Sequence, residues 1–243
     1  MSRALRIAAL PLALTVSACA GTADETALIA DPYEPANRVV HTFNTGIDVA
    51  LIRPASQAYG AIVPEPMERG IENFVSNLSL PGDMVNNALQ GDGDGFSRNL
   101  GRFLMNSTLG LGGFLDVAGD NAIERVPADF GQTLAVYGVQ EGPYVELPLL
   151  GPSTTRDAVG TVVDIVTNPL ALIDSDTATD VLVAGTTTDI VDTRDELGGT
   201  LDAILYESED SYVALRDVYI QNRRAFVNGT EGGTEGFVDI YAE

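Results

Sequence analysis

The sequence predicts an all-α fold in which short amphipathic helices follow a curved or ring-like path. Apolar residues recur at helical spacing through most of the chain, prolines cut those runs at close intervals, and only Tyr144 to Leu149 alternates as a strand would. Helices that short cannot pack along their whole length against antiparallel partners, so a long-helix bundle is not expected.

Met1 to Ala18 reads as an export signal, with Arg3 and Arg6 as its basic start and Ile7 to Val16 as a short apolar stretch. It runs into Val16-Ser17-Ala18-Cys19, and Cys19 is the only cysteine. These residues resemble the lipobox of bacterial lipoproteins, in which the cysteine becomes the lipidated first residue. Several acyl chains at roughly 0.8 kcal/mol per buried methylene make a stable anchor. Ala20 stands where Asp would retain many lipoproteins at the inner membrane, so the resemblance implies the outer one. A lone cysteine allows no disulfide within the chain, and core packing must hold the fold. Residues 19–30 are expected to be a lipidated tether, 31–228 one helical domain and 229–243 an acidic mobile tail.

Charge narrows the partners. The formal net charge is -22, all 13 basic residues are Arg, and removal of Arg3 and Arg6 with the signal would make it -24. Nucleic acid is excluded as a partner, since phosphate binding needs a basic footprint. Asp174 to Glu243 holds 16 acidic residues against 4 Arg, a net of -12, whereas Arg98 to Ala118 is net +1. A membrane-tethered chain would turn the first to water and the second to lipid. An organism with an acidic proteome would give the same imbalance.

Within the domain, Pro35 suits a first helical turn, and Val39, Val40, Phe43 and Ile47 make one stripe of a helix over Asp31 to Ala50. Arg53-Pro54 breaks it, and Pro64-Glu65-Pro66 marks a corner before Met67, Ile71, Phe74, Val75 and Leu78 resume the helical period. Pro81-Gly82-Asp83 should turn the chain into another short helix carrying Met84, Val85, Ala88 and Leu89. Asp94 is read as the N-cap of a central helix.

That helix opens an apolar island, Arg98 to Gly119, charged only at Arg98, Arg102 and Asp116. Its uncharged run Phe103 to Leu115 has 13 residues, below the roughly 20 a spanning helix needs. Phe96, Leu100, Phe103 and Leu104 form a helical face that meets Gly110, Gly112 and Gly113 in a flexible apolar turn. Two readings stay open: a buried core helix with a glycine stop, or a segment that lies in lipid and moves.

Further on, Asp129 to Gly138 is one capped helix closed by its glycine, and Ser153 caps a helix with Val159, Val162, Val163 and Val166 on its inner side, stopped by Asn168-Pro169. After Leu170 to Ile173, helices follow over Asp176 to Leu205, broken near Gly198-Gly199, and over Asp210 to Val227.

No catalytic set is legible. His41 is the only histidine and stands mid-helix without a nucleophile nearby in sequence. Gly91-Asp92-Gly93-Asp94-Gly95 fails as a calcium loop, because Phe96 and Phe103 occupy ligand positions. Gly110-Leu111-Gly112-Gly113 lacks the third glycine and the preceding strand of a dinucleotide loop. Glu65, Glu68 and Glu72 read as a solvated face. Arg53, Arg69, Arg98, Arg102, Arg125 and Arg156 suit either lipid phosphate or structural salt bridges.

Asp31-Pro32-Tyr33-Glu34, Asn37-Arg38, Phe43-Asn44, Arg53-Pro54, Asn73-Phe74, Leu89-Gln90-Gly91, Arg102-Phe103, Asn106-Ser107-Thr108-Leu109-Gly110, Asp129-Phe130-Gly131-Gln132, Gly142-Pro143-Tyr144 and Gly151-Pro152-Ser153-Thr154 together resemble the MlaA/VacJ family of outer-membrane lipoproteins. The likeness is dense from Asp31 to about Asn168 and looser to Asn228-Gly229. It implies a helical ring lying in one leaflet, the inner leaflet of the outer membrane, with a central amphipathic channel; the residues themselves lead to the expectation of no cofactor, metal or enzymatic activity. It also implies removal of mislocalised phospholipid from the outer leaflet, a trimeric porin alongside and a soluble periplasmic lipid carrier as recipient. The channel or gating candidates are Asn106, Leu109, Gly110, Gly112, Gly113 and Phe114; Arg98 and Arg102 are candidates for lipid phosphate. The competing readings are a lipoprotein that only braces a porin and a phospholipase-like enzyme.

Overall fold

A computed structural model describes residues 28–168 and 176–229. The export signal, Cys19, the stretch Leu170 to Ile173 and the tail from Thr230 onward lie outside the described residues. Among the described residues no helix is long and apolar enough to cross a membrane.

The fold is helical with one small hairpin. Helix α1 (Glu34–Ile47) carries Pro35 in its first turn and continues through a π-helical turn, Asp48–Ile52, into α2 (Arg53–Ile62). Arg53-Pro54 therefore does not end the helix. The wider π turn, closed by the Arg53 amide on the Asp48 carbonyl, places Pro54 in a fresh first turn, where its missing N–H costs nothing. The corner at Pro64 is real, with Val63 and Pro64 both extended, and α3 (Glu65–Gln90) follows.

Pro81 was expected to turn the chain, yet α3 runs through it for 26 residues, about 39 Å at 1.5 Å per residue. Side-chain bonds on either side of Pro81 hold the helix across the lost hydrogen bond: Asn77 donates to Ser107 Oγ at 3.0 Å, and Arg125 donates to Asp83 at 2.7 Å. Gly91 ends α3 in the left-handed region at φ 76°. Asp92, not Asp94, caps α4 (Gly93–Thr108), accepting from the Gly95 amide at 2.9 Å. Asp94 lies within the first turn and pairs with Arg98.

A 3-10 turn (Leu111–Gly113) and the short α5 (Val117–Asp120) lead to α6 (Phe130–Val136), capped by Asp129 and followed by Gly138 at φ 85° as expected. Strand β1 (Tyr144–Leu147) pairs antiparallel with β2 (Gly151–Thr154), Tyr144 opposite Thr154. The second strand had no alternating signature, because it begins Gly-Pro. Helix α1 takes the free edge of β1: Asn37 donates to the Tyr144 carbonyl and accepts from the Glu146 amide, while Asn44 donates to the Leu147 carbonyl. A side-chain amide here replaces a neighbouring strand.

The cap of α7 (Thr155–Thr167) is not Ser153 but Thr154, the last residue of β2, which accepts from the Asp157 amide. Helix α8 (Asp176–Glu196), α9 (Gly198–Asp202), a second π turn (Ala203–Glu207) and α10 (Ser211–Val227) complete the chain. The first and last elements meet. Ile29, placed in the tether by sequence, is buried with Tyr144, Tyr212 and Ile220. Asp31 accepts from Tyr212 Oη and pairs with Arg216, Arg38 pairs with Asp210, and Asp48 takes both arms of Arg194 at 2.9 and 3.1 Å.

Candidate functional site

Polar side chains fill the interior. Among the described residues 19 polar or charged side chains are buried against 8 apolar ones, the reverse of a water-soluble domain. The apolar stripes that periodicity found point outward. Val159, Val162, Val163 and Val166 of α7 were expected on its inner side, yet Val162 is 61% and Val166 65% exposed, Val159 is exposed and Val163 only half-buried, while Arg156, Asp157 and Gly160 of the same helix are buried. Phe96, Leu100 and Leu104 of α4 and Val39 and Phe43 of α1 are exposed likewise. Periodicity defines a stripe but not which way it faces. At about 25 cal/mol per Å² such a surface is unfavourable in water and suits an apolar surrounding.

The apolar island is organised on one carboxylate. Asp116 accepts from Arg102 at 2.8 Å and from Asn106 at 2.8 Å, and caps α5 through the Gly119 amide at 3.0 Å. Burial pushes the Asp116 carboxyl up, but the Gly119 amide, Asn106 and Arg102 together hold it below the ordinary carboxylate range. Arg102 also donates to the Ile123 carbonyl, and Asn106 accepts from the Ala118 amide at 2.9 Å. Two of the sequence candidates, Arg102 and Asn106, thus converge on one buried node. Arg98 stays at the surface on Asp94.

Beyond the node, Leu109, Leu111, Phe114 and Leu115 are exposed on the turn, Leu111 at 73% and in the left-handed region at φ 55°. Phe114 stacks on Phe74 of α3 with ring centroids 4.8 Å apart. A side chain at Gly110 would strike the Leu115 carbonyl and the Asn106 backbone, and Gly113, at φ 109°, faces Asn77 at 2.8 Å; Gly112, at φ 78°, meets open space.

Two polar cavities adjoin between α3, α6, α7 and α10. One, about 270 Å³, is lined by Ser153, Asp157, Thr161, Tyr219 and Arg223 with Leu147 and Leu150 at its edge; the other, about 230 Å³, by Ser79, Asp83, Asn86 and Thr167. Asp129 and Asp164 line both. Arg223 bridges Asp129 at 2.6 Å and Asp157 at 2.9 Å. Each of the 11 arginines left after Arg3 and Arg6 are subtracted from 13 sits in an ion pair, including all six weighed for lipid phosphate.

His41 has partners that the sequence hid. It is buried, with Nδ1 3.1 Å from Glu146 Oε1 and Nε2 3.0 Å from Ser211 Oγ. That order of hydroxyl, imidazole and carboxylate is the one hydrolases use. Asp210 caps α10 just before Ser211, accepting from the Val213 amide and pairing with Arg38. The constellation joins α1, β1 and α10, and the Tyr212 ring stands edge-on to the imidazole at 5.6 Å.

Comparison with known proteins gives a consistent picture. The family model described as MlaA lipoprotein matches residues 29–226. Intermembrane phospholipid transport system lipoproteins MlaA of Escherichia coli K12 and Shigella flexneri are each 37% identical over 232 residues, 93% of this chain and 90% of theirs. The Haemophilus influenzae protein of the same name is 29% identical over 236 residues, covering 91% of this chain and 90% of its own. A solved structure described as the structural basis for maintenance of bacterial outer membrane lipid asymmetry superposes with a TM-score of 0.70 at 35% identity, over 82% of this chain and 100% of that one.

Proposed function

The chain belongs to the MlaA lipoprotein family, and from that premise we propose that it is an outer-membrane phospholipid-transport lipoprotein that maintains lipid asymmetry. The observation that carries the reading is the inverted distribution of side chains, apolar outward and polar inward, on a chain with no spanning helix among its described residues. A phospholipid crossing such a protein keeps its tails in hydrocarbon while its headgroup passes over polar side chains, which avoids the cost of placing a charged headgroup in an apolar medium.

In this reading the helices lie as a ring in the periplasmic leaflet, held by lipidated Cys19, and the polar cavities beside Asp129 and Asp164 belong to its central channel. Phospholipid mislocalised to the outer leaflet enters, and a soluble periplasmic carrier receives it. A trimeric porin stands alongside. The turn from Asn106 through Leu109, Gly110, Gly112 and Gly113 to Phe114 gates the passage. Arg98, exposed on its one partner, remains available to lipid phosphate, whereas Arg102 serves the Asp116 node. Transport requires no bond to break, so His41 acts as a structural residue.

Deleting the gene should raise outer-leaflet phospholipid, and restoring it should reverse the change. Porin binding with an unaltered outer leaflet would select a bracing role instead. The His41–Ser211 geometry favours one second reading, an acyl hydrolase, and release of free fatty acid by the purified chain would establish it.

A further inference from the structure

Asp164 stands on the wall between the two polar cavities, and it forms no ion pair among the described residues. Its oxygens accept from Asn86 Nδ2 at 2.9 Å and from the Phe130 amide at 2.9 Å, which leaves half of the roughly four lone-pair sites of a carboxylate unused. The other carboxylates around it are compensated. Asp83 has Arg125, and Asp129 and Asp157 share Arg223, with Arg156 also on Asp157. Desolvation, with the Asp129 charge adding to it, raises the Asp164 carboxyl above its ordinary range, although the Phe130 amide, Asn86 and the more distant Arg223 each draw it down.

Beside this polar space lies an apolar groove of about 520 Å³ between α3 and α4, lined by Met84, Val85, Ala88, Leu89, Phe96 and Leu100. Val85 borders both the groove and the cavity of Asp164. Polar and apolar compartments therefore meet across one side chain, the division that a lipid headgroup and its acyl chain require.

Resting on the phospholipid-transport reading, we infer that Asp164 receives the ammonium of a zwitterionic, ethanolamine-type phospholipid headgroup, with an acyl chain crossing Val85 into the α3–α4 groove. An anionic headgroup finds every guanidinium of the described residues already in an ion pair, Arg223 included, and meets a carboxylate that forms none. The cavity therefore selects by headgroup charge.

The test uses the full lipidated chain in detergent with two probes, dihexanoyl phosphatidylethanolamine and dihexanoyl phosphatidylglycerol. The ethanolamine lipid should bind about tenfold more tightly, the scale of one charge-assisted contact. Asp164→Asn should abolish the preference. Because Asn cannot accept from both Asn86 and Phe130, Thr167→Lys provides a second variant: it adds a cation to the cavity wall, leaves the Asp164 hydrogen bonds in place, and should abolish or reverse the preference. Equal binding, or preference for the glycerol lipid, in wild type overturns the headgroup assignment and leaves phospholipid transport standing. A preference unchanged in both variants overturns the placement at Asp164. Binding of neither lipid overturns the inference together with the transport reading of this cavity.

Discussion

Gly110 and Gly113 are fixed by what surrounds them, Gly112 by its backbone alone. Ala at Gly110 or Gly113 drives a methyl group into the Leu115 carbonyl or into Asn77, so each should lose about 1–3 kcal/mol, read as a fall in Tm. Gly112→Ala faces open space and should lose only about 1–2 kcal/mol for its left-handed backbone. A gate at this turn makes Gly112→Ala the variant that reduces transport beyond its loss of stability; outer-leaflet phospholipid proportional to Tm across all three variants would make the turn purely structural. Ser211→Ala tests the hydrolase geometry, since it removes the hydroxyl 3.0 Å from His41 while the Asp210 cap remains. It should keep transport and nearly all stability, and a null phenotype in a folded variant that goes with loss of fatty-acid release would assign Ser211 a role as nucleophile. These residue roles were only partly legible. Cap types and glycine stops are local, and Asp129, Gly138 and Asn228 fell where sequence put them. The partners of His41 lie 105 and 170 positions away, and no local pattern points to them.

Helix α7 shows what periodicity can and cannot carry at the scale of an element. Its valine stripe was visible, but its direction depends on whether water or lipid surrounds the chain, which spacing does not encode. Helix α3 was cut too early for a related reason: Pro81 is a local stop signal that the contacts of Asn77 and Asp83 override. Helix α8 presents Asp189, Asp192, Asp195 and Glu196 toward Glu68 and Glu72 of α3 and Tyr59 of α2, with Arg125 lowering only Asp189. Burial, then the neighbouring carboxylates, raises Glu72 and Asp192, and burial raises Asp189. Folded values above the unfolded ones mean that the stabilisation is complete at low pH and is lost as pH rises through the folded pKa. The protection factors of the α8 amides, corrected for the intrinsic pH dependence of exchange, should be larger near pH 5 than near pH 7.5; equal or smaller protection at the lower pH would show that these acids do not repel one another across the contact. The Asp116 node has the opposite sign, because its depressed carboxyl contributes at neutral pH and loses that contribution as pH falls.

At the scale of the whole molecule, the helical class followed from composition and spacing, while the contacts of Asp31, Arg38 and Asp48 with the last elements of the chain did not. Those pairs join residues more than a hundred positions apart, and in a chain with 35 acidic residues no single carboxylate is singled out by sequence. The polar interior they help to build is the feature on which the proposed transport rests. Thr161 and Val162 are neighbours on α7 that separate its two environments: Thr161 lines the polar cavity and Val162 points away from it. Spin labels at these two positions, one at a time, in the full chain reconstituted in phospholipid bilayers, read which face of α7 meets lipid and which meets water. Relaxation of the Val162 label by oxygen and of the Thr161 label by a water-soluble nickel chelate is the predicted result. A Val162 label relaxed by the nickel chelate and shielded from oxygen would place the apolar face in water and contradict the account.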